Sequence, residues 1–269
     1  MLFYDAHCHL QDPRFDHCRD ALLENLTSSA VRECISNGTN PEDWSTLARL
    51  STHPKVRPAF GLHPWKVKHA TPDWFEQLEQ RLIEHPGALI GEIGLDRWIR
   101  DPQFPKQMEA FERQLELAAS LNIPPCIHCL RAWGHLQNVL ERYASRLPGF
   151  LLHSYAGPAE MTERFVKLGA YFSLSGYFLH PKKQHKLEAW RSIPLERILI
   201  ESDCPDMELP AQDHQPIPNA GKSCTELNHP GNLPAIYAFA AKTFGHESTA
   251  FASQVEQNYH RLFAQTTTH

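Results

Sequence analysis

His7 and His9 stand one residue apart near the N-terminus, in Asp5-Ala6-His7-Cys8-His9. Glu92 follows in Gly91-Glu92-Ile93-Gly94-Leu95-Asp96, and His128, His153 and Asp203 come later in the words IHCL, LLHSY and ESDCP. All six sit at or just past the end of a short apolar run. Imidazoles and carboxylates are donors that hold divalent metals. Four of the first and two of the second, gathered in one place, suit one or two such ions. The chemistry this implies is a metal-activated water and hydrolysis.

The elements that must position these residues alternate along the chain. Apolar runs that read as strands are Leu2–Tyr4, Val31–Ser36, Val56–Leu62, Ala88–Ile90, Pro125–Ile127, Phe150–Leu152, Tyr171–Leu174 and Ile198–Ile200. Between them lie stretches with helical spacing. The clearest is Gln103–Asn122, with Phe104, Met108, Phe111, Leu115, Ala118 and Leu121 at three- and four-residue steps. Further helices are expected over Asp16–Asn25, Pro41–Leu50, Pro72–Glu84, Trp133–Ala144, Pro158–Leu168 and Lys182–Ser192, and near the C-terminus over Gly231–Phe244 and Glu247–Phe263. Eight strands, most followed by a helix, predict a (β/α)8 TIM barrel. No glycine-rich fingerprint follows the first strand, as a dinucleotide-binding sheet would need. The C-terminal ends of barrel strands converge on one mouth, so the six donors would meet there. The proline-rich stretch Asp203–Asn228 reads as a long loop beside that mouth, either part of a substrate lid or a plain surface loop.

Taken singly, each residue has a plainer reading. His7 and His9 share one strand face, with Asp5 a step deeper and placed to orient an imidazole. Glu92 fits a helix cap, a barrel-interior ion pair or a metal bridge. His128 and His153 could be core histidines, and Asp203 could cap a helix. Glu201 shares the face of Asp203 and is a candidate supporting carboxylate. Their joint order around the barrel favours one shared metal site over six separate roles.

The chain has 269 residues, an ordinary length for one α/β barrel, and reads as a single domain over 1–269. Its formal net charge of −5 argues against passive coating of duplex DNA. It does not exclude a nuclease, because bound cations supply local positive charge. The 7 cysteines are odd in number and scattered, unlike a secreted disulfide framework. Cys126 and Cys129 form a CxxC within a strand, where packing is the expected role. Neither a membrane-length apolar run nor a signal-like N-terminus is present, so a cytoplasmic location is expected.

The words DAHCHL, GLHPW, GEIGLD, IHCLRAW, LLHSYAG, SLSGYF and ILIESDCPDM, with NHPGNLP and YHRLF near the C-terminus, resemble the TatD-like metal-dependent hydrolases of the amidohydrolase superfamily. The resemblance covers nearly the whole chain. It implies two adjacent divalent ions, for which zinc, magnesium, manganese, iron and nickel are all candidates. By that likeness His7, His9 and Asp203 would hold one ion, His128 and His153 the other, and Glu92 would bridge them. Glu92 and Asp203 would be catalytic, and Asp203 would move the proton of the attacking water. His63, in GLHP, would lie near the substrate phosphate. The implied activity is that of a deoxyribonuclease, a 3′–5′ exonuclease-type phosphodiesterase with single-stranded DNA or nucleic-acid ends as substrate.

The chain departs from many relatives in two places. Cys129-Leu130-Arg131-Ala132 replaces a serine-arginine-aspartate run, and Asn228-His229-Pro230 replaces asparagine-glutamate-proline. These changes bear on phosphate contacts, for which Arg131, Lys222 and Arg97 are candidates beside His63. Trp65, Trp98, Tyr155 and Tyr177 lie near strand ends and could stack on bases. The alternative is a hydrolase of a small ester, lactone or amide on the same site. A non-catalytic scaffold has no need of six converging donors.

Overall fold

The computed structural model describes residues 1–263. The last residues of the expected 1–269 domain lie outside the described residues. Eight strands form one sheet in sequence order: β1 Phe3–Cys8, β2 Val31–Asn37, β3 Val56–Phe60, β4 Leu89–Asp96, β5 Pro125–Leu130, β6 Phe150–Leu152, β7 Ala170–Leu174 and β8 Ile198–Ile200. Every neighbouring pair is parallel. The two edges meet at a seam closed mostly outside any ladder. Asp5 accepts there from the backbone and hydroxyl of Ser202 at 2.9 and 2.6 Å. The Asp203 N–H donates to the His7 carbonyl, and the His9 N–H to that of Cys204. The result is the expected (β/α)8 barrel.

Helices α1 Arg19–Ser28, α2 Pro41–Leu50, α3 Trp74–Glu84, α4 Phe104–Leu121, α5 Trp133–Tyr143 and α6 Ala159–Lys167 fill the first six crossovers. Helices α7 Leu233–Phe244 and α8 Ser248–Phe263 follow β8. Most expected boundaries shift by a few residues. The segment Pro181–Ser192 differs in kind, being 3₁₀ rather than α-helical. Its only buried residues are Ala189 and Trp190, and it carries Lys182, Lys183 and Lys186, so it lacks the apolar stripe that would pin an α-helix.

The strands are longer than their apolar cores. β1, β4 and β5 continue through His7, Glu92 and His128, which lie inside the strands rather than past them. Polar residues extend these strands because they face the barrel interior and its other polar groups. Gly94 is required on β4: it has φ +142°, and a Cβ there would stand 2.0 Å from the His128 carbonyl oxygen.

The stretch 203–228 is irregular, as expected, but anchored. Leu209, Ile217 and Ala220 are buried, and a disulfide joins Cys18 to Cys224. That single bridge is one the scattered cysteine count did not predict. Cys126 and Cys129 are free, buried thiols whose pKa burial raises. No helix among the described residues is long and apolar enough to cross a membrane.

Candidate metal centre

All six sequence-selected donors come together at the mouth. Glu92, 2% exposed, is at their centre, and its two carboxylate oxygens face different partners. Oε2 lies 3.5 Å from His7 Nε2 and 3.3 Å from His9 Nε2. Oε1 lies 3.1 Å from His128 Nδ1 and 2.8 Å from His153 Nε2. Asp203 Oδ1 is 3.6 and 3.7 Å from the His7 and His9 nitrogens, on the Oε2 side. Within the pairs, the nitrogens of His7 and His9 are 3.2 Å apart and those of His128 and His153 are 3.1 Å apart. Two donors bound at about 2.1 Å to one tetrahedral ion stand about 3.4 Å from each other. The spacing therefore fits a cation in each half of the cluster.

Hydrogen bonds on the far side of several rings decide which nitrogen carries its proton. His9 Nδ1 lies 2.7 Å from the Asn37 carbonyl and must donate to it, which leaves the Nε2 lone pair facing Glu92. His128 Nε2 bonds Asp96 Oδ2 at 2.8 Å, freeing Nδ1 toward the centre. Glu201 stands behind His153, 3.7 Å from Nδ1, and itself accepts from Ser173 Oγ. At that distance it makes no hydrogen bond to the ring, and both His153 Nδ1 and Glu201 Oε1 are buried without a hydrogen-bond partner among the described residues. Asp5 does not touch an imidazole. It holds backbone, accepting from the N–H groups of His7 and Ser202, because the barrel seam needs closing there.

His63 also lies against Glu92, with Nε2 3.4 Å from Oε1, so by distance it forms a potential metal group with Glu92 and His128, beside the groups His7–His9–Glu92 and His7–His153–Asp203. The chemistry argues otherwise. His63 Nδ1 accepts the Trp65 backbone N–H at 3.1 Å, so the proton sits on Nε2, which is a donor. Burial also holds this imidazole down, to about 4. A neutral N–H donor at this point suits a phosphate oxygen better than a cation.

The electrostatics describe a cluster that attracts positive charge. Burial alone would raise the Glu92 carboxyl, but His63, His153 and His7 outweigh it and hold it well below the usual range. Burial opposes charging of His9, yet Glu92 and Asp203 lift it to about 10. Burial opposes charging of His128 and His153 too, and nearby carboxylates raise both. Burial lifts Asp203 to about 7 against the pull of His153. A divalent ion would compete with protons at His9, His128 and His153, whereas burial holds His7 well below its ordinary value.

Asp96 was not singled out by the sequence reading. Its signal was available: Glu92, Gly94 and Asp96 alternate on one face of β4. Helix α4 holds it, with Gln107 bonding both its N–H and its carbonyl. Gln114, two turns on, does the same for Leu62 beside His63.

The remaining candidates differ in what they touch. Arg131 is exposed just past β5, in the left-handed region at φ 54°, and among the described residues no ion pair joins it to the cluster. Arg97 lies over the Phe104 ring and Lys222 is exposed. Tyr155 is a core residue packed on Trp133 and Phe172, so it cannot stack on a base. Tyr177 is flanked by the ammonium groups of Lys183 and Lys186. Trp65 and Trp98 are exposed. Asn228 and His229, the altered word, are buried. Asn228 Nδ2 bonds the carbonyls of Ser202 and Met207 and so fixes the backbone on both sides of Asp203.

Comparison with known proteins agrees with a metal-dependent hydrolase on this fold. The family described as TatD related DNase matches residues 4–264. An uncharacterized metal-dependent hydrolase, YjjV of Escherichia coli (strain K12), is 29% identical over 264 residues, covering 97% of each chain. The protein named 3′-5′ ssDNA/RNA exonuclease TatD of the same strain is 30% identical over 267 residues, 97% of this chain and 98% of its own. The crystal structure of YjjV superposes with a TM-score of 0.85 at 28% identity, over 97% of both chains. A TatD family hydrolase from Entamoeba histolytica shares the fold, with a TM-score of 0.83 at 18% identity, over 99% of both chains.

Proposed function

This chain belongs to the TatD related DNase family, and we propose that it is a metal-dependent phosphodiesterase that removes nucleotides from single-stranded nucleic-acid ends. One observation carries the reading: the two oxygens of Glu92 face two separate groups of imidazoles. That division supports a pair of divalent ions, with His7, His9 and Asp203 on one side, His128 and His153 on the other, and Glu92 shared. Such ions, when bound, polarise a phosphodiester and lower the pKa of a coordinated water.

The rest of the chemistry belongs to the side chains. Asp96 keeps the His128 ring turned so that a lone pair faces inward. His63 offers its Nε2 proton to a non-bridging phosphate oxygen. Asp203 takes a proton from the attacking water and returns it to the departing sugar oxygen. The products are a shortened strand and a mononucleotide.

The test is hydrolysis by protein reconstituted with magnesium, manganese or zinc, on single-stranded DNA, RNA and a panel of small esters and lactones. Oligonucleotide turnover should exceed that of any small ester. Glu92→Ala should lose both activity and most bound metal. Wild-type metal content with activity retained in Glu92→Ala would defeat the assignment.

A further inference from the structure

Two exposed tryptophans flank one corner of the mouth, and a single buried carboxylate anchors both. Trp65 is 45% exposed and Trp98 56%. Asp96 Oδ2 accepts the Trp65 indole N–H at 2.7 Å, and Oδ1 accepts the Trp98 backbone N–H at 2.6 Å. The same Oδ2 bonds His128. The other large exposed apolar side chains are Met1, Leu2, Ile83 and Leu121. They precede β1 or end α3 and α4, so they lie toward the opposite end of the barrel. Trp65 and Trp98 alone among these follow strand ends, after β3 and β4.

We infer that the Trp65 ring is a nucleobase platform, seating the base beside the phosphate under attack. This rests on the nuclease reading above and adds a subsite to it. The indole N–H is already committed to Asp96, so what the residue offers is its ring rather than a polar edge. The bond also fixes the ring before substrate arrives, which lowers the ordering cost of binding. Its position suits a base one nucleotide's reach from the centre. The ring centroid is 5.2 Å from that of His63, whose Nε2 lies 3.4 Å from Glu92. Stacking on an aromatic ring tolerates all four bases, so such a platform would not by itself select a sequence.

The experiment compares two end-labelled single-stranded oligonucleotides on the metal-reconstituted protein. One has natural ends, and in the other the two terminal nucleotides at the attacked end are abasic. Wild type should prefer the natural end by roughly 10-fold or more in kcat/KM, mostly through KM. Trp65→Ala should collapse that preference to near unity. Trp65→Phe keeps a ring but loses the indole N–H, and it should keep most of the preference. Equal preference in wild type and Trp65→Ala would overturn the inference. So would equal losses on both substrates in Trp65→Ala and Trp65→Phe, since the residue would then act by positioning His128 through Asp96. A wild type that cuts neither oligonucleotide overturns the nuclease reading itself, a result distinct from cutting both alike.

Discussion

Asp203 and the histidines share one cluster but differ in what they can do. An imidazole whose outward nitrogen is bonded, as in His9 and His128, has one lone pair to offer and can only hold. Asp203 is a carboxylate with 6% exposure and two oxygens, so one can face a cation while the other receives and releases a proton. Asp203→Asn keeps the shape and one oxygen but cannot take the proton. It should retain substantial metal and oligonucleotide binding while turnover drops by at least about 10²-fold. Metal content, affinity and turnover should be measured on one preparation. Turnover within a few-fold of wild type would show that the proton-shuttle role is wrong and leave Glu201 or a metal-bound hydroxide acting alone as the better candidate.

Helix α4 acts on the site through two glutamines on one face. Gln107 and Gln114 are both fully buried, and each closes a pair of bonds to the backbone at a strand exit. Gln114→Leu conserves volume but leaves the Leu62 N–H and carbonyl without partners in a buried place. A loss of about 1–3 kcal/mol is expected, read from the urea midpoint. An unchanged midpoint would mean that water reaches Leu62 and the helix does not hold it. The loop before α7 carries its own lock. His229 Nε2 donates to the Gln215 carbonyl at 2.8 Å, and Nδ1 accepts from Gly231 N. Both nitrogens are committed in the neutral form, and burial holds the imidazole down to about 4. Unfolded, it takes its proton near the ordinary 6.5. Between those values the unfolded state binds more protons, so stability falls as pH drops from about 6.5 toward 4, by at most about 3 kcal/mol. His229→Asn should be less stable at neutral pH and lose less across that window. Parallel stability curves for the two proteins would show that His229 does not titrate with folding.

The whole molecule is an acidic chain with its chemistry recessed at a barrel mouth, and this combination shapes substrate choice. A net charge of −5 gives little general attraction to a phosphate backbone, so local contacts at the mouth must supply it. A stiff duplex end fits such a concave site less easily than one flexible strand. Linear single strands should therefore be digested faster than blunt duplex of the same length, and closed single-stranded circles should resist. Circles cut as fast as linear strands would sink the exonuclease version while leaving the phosphodiesterase class standing.

The order of residue types was enough to identify the barrel and to select six residues that the fold gathers at its mouth. Parallel strands bury both faces and so appear as short apolar runs, and barrel geometry carries their C-terminal ends to one mouth. His7, His9, Glu92, His128, His153 and Asp203 could be selected from their places at those ends. Tertiary structure alone decided what each donor does. Asp5 turned from an imidazole partner into a seam closure because Ser202, almost two hundred residues away, meets it across β1 and β8. His63 became an N–H donor because the Trp65 backbone occupies its other nitrogen. Asp96 gained its role from His128 and Trp65, on neighbouring strands or their exits. Strand position follows from local pattern. A proton's place on a ring depends on which partner reaches its far side, and those partners come from distant segments that only the closed barrel brings together.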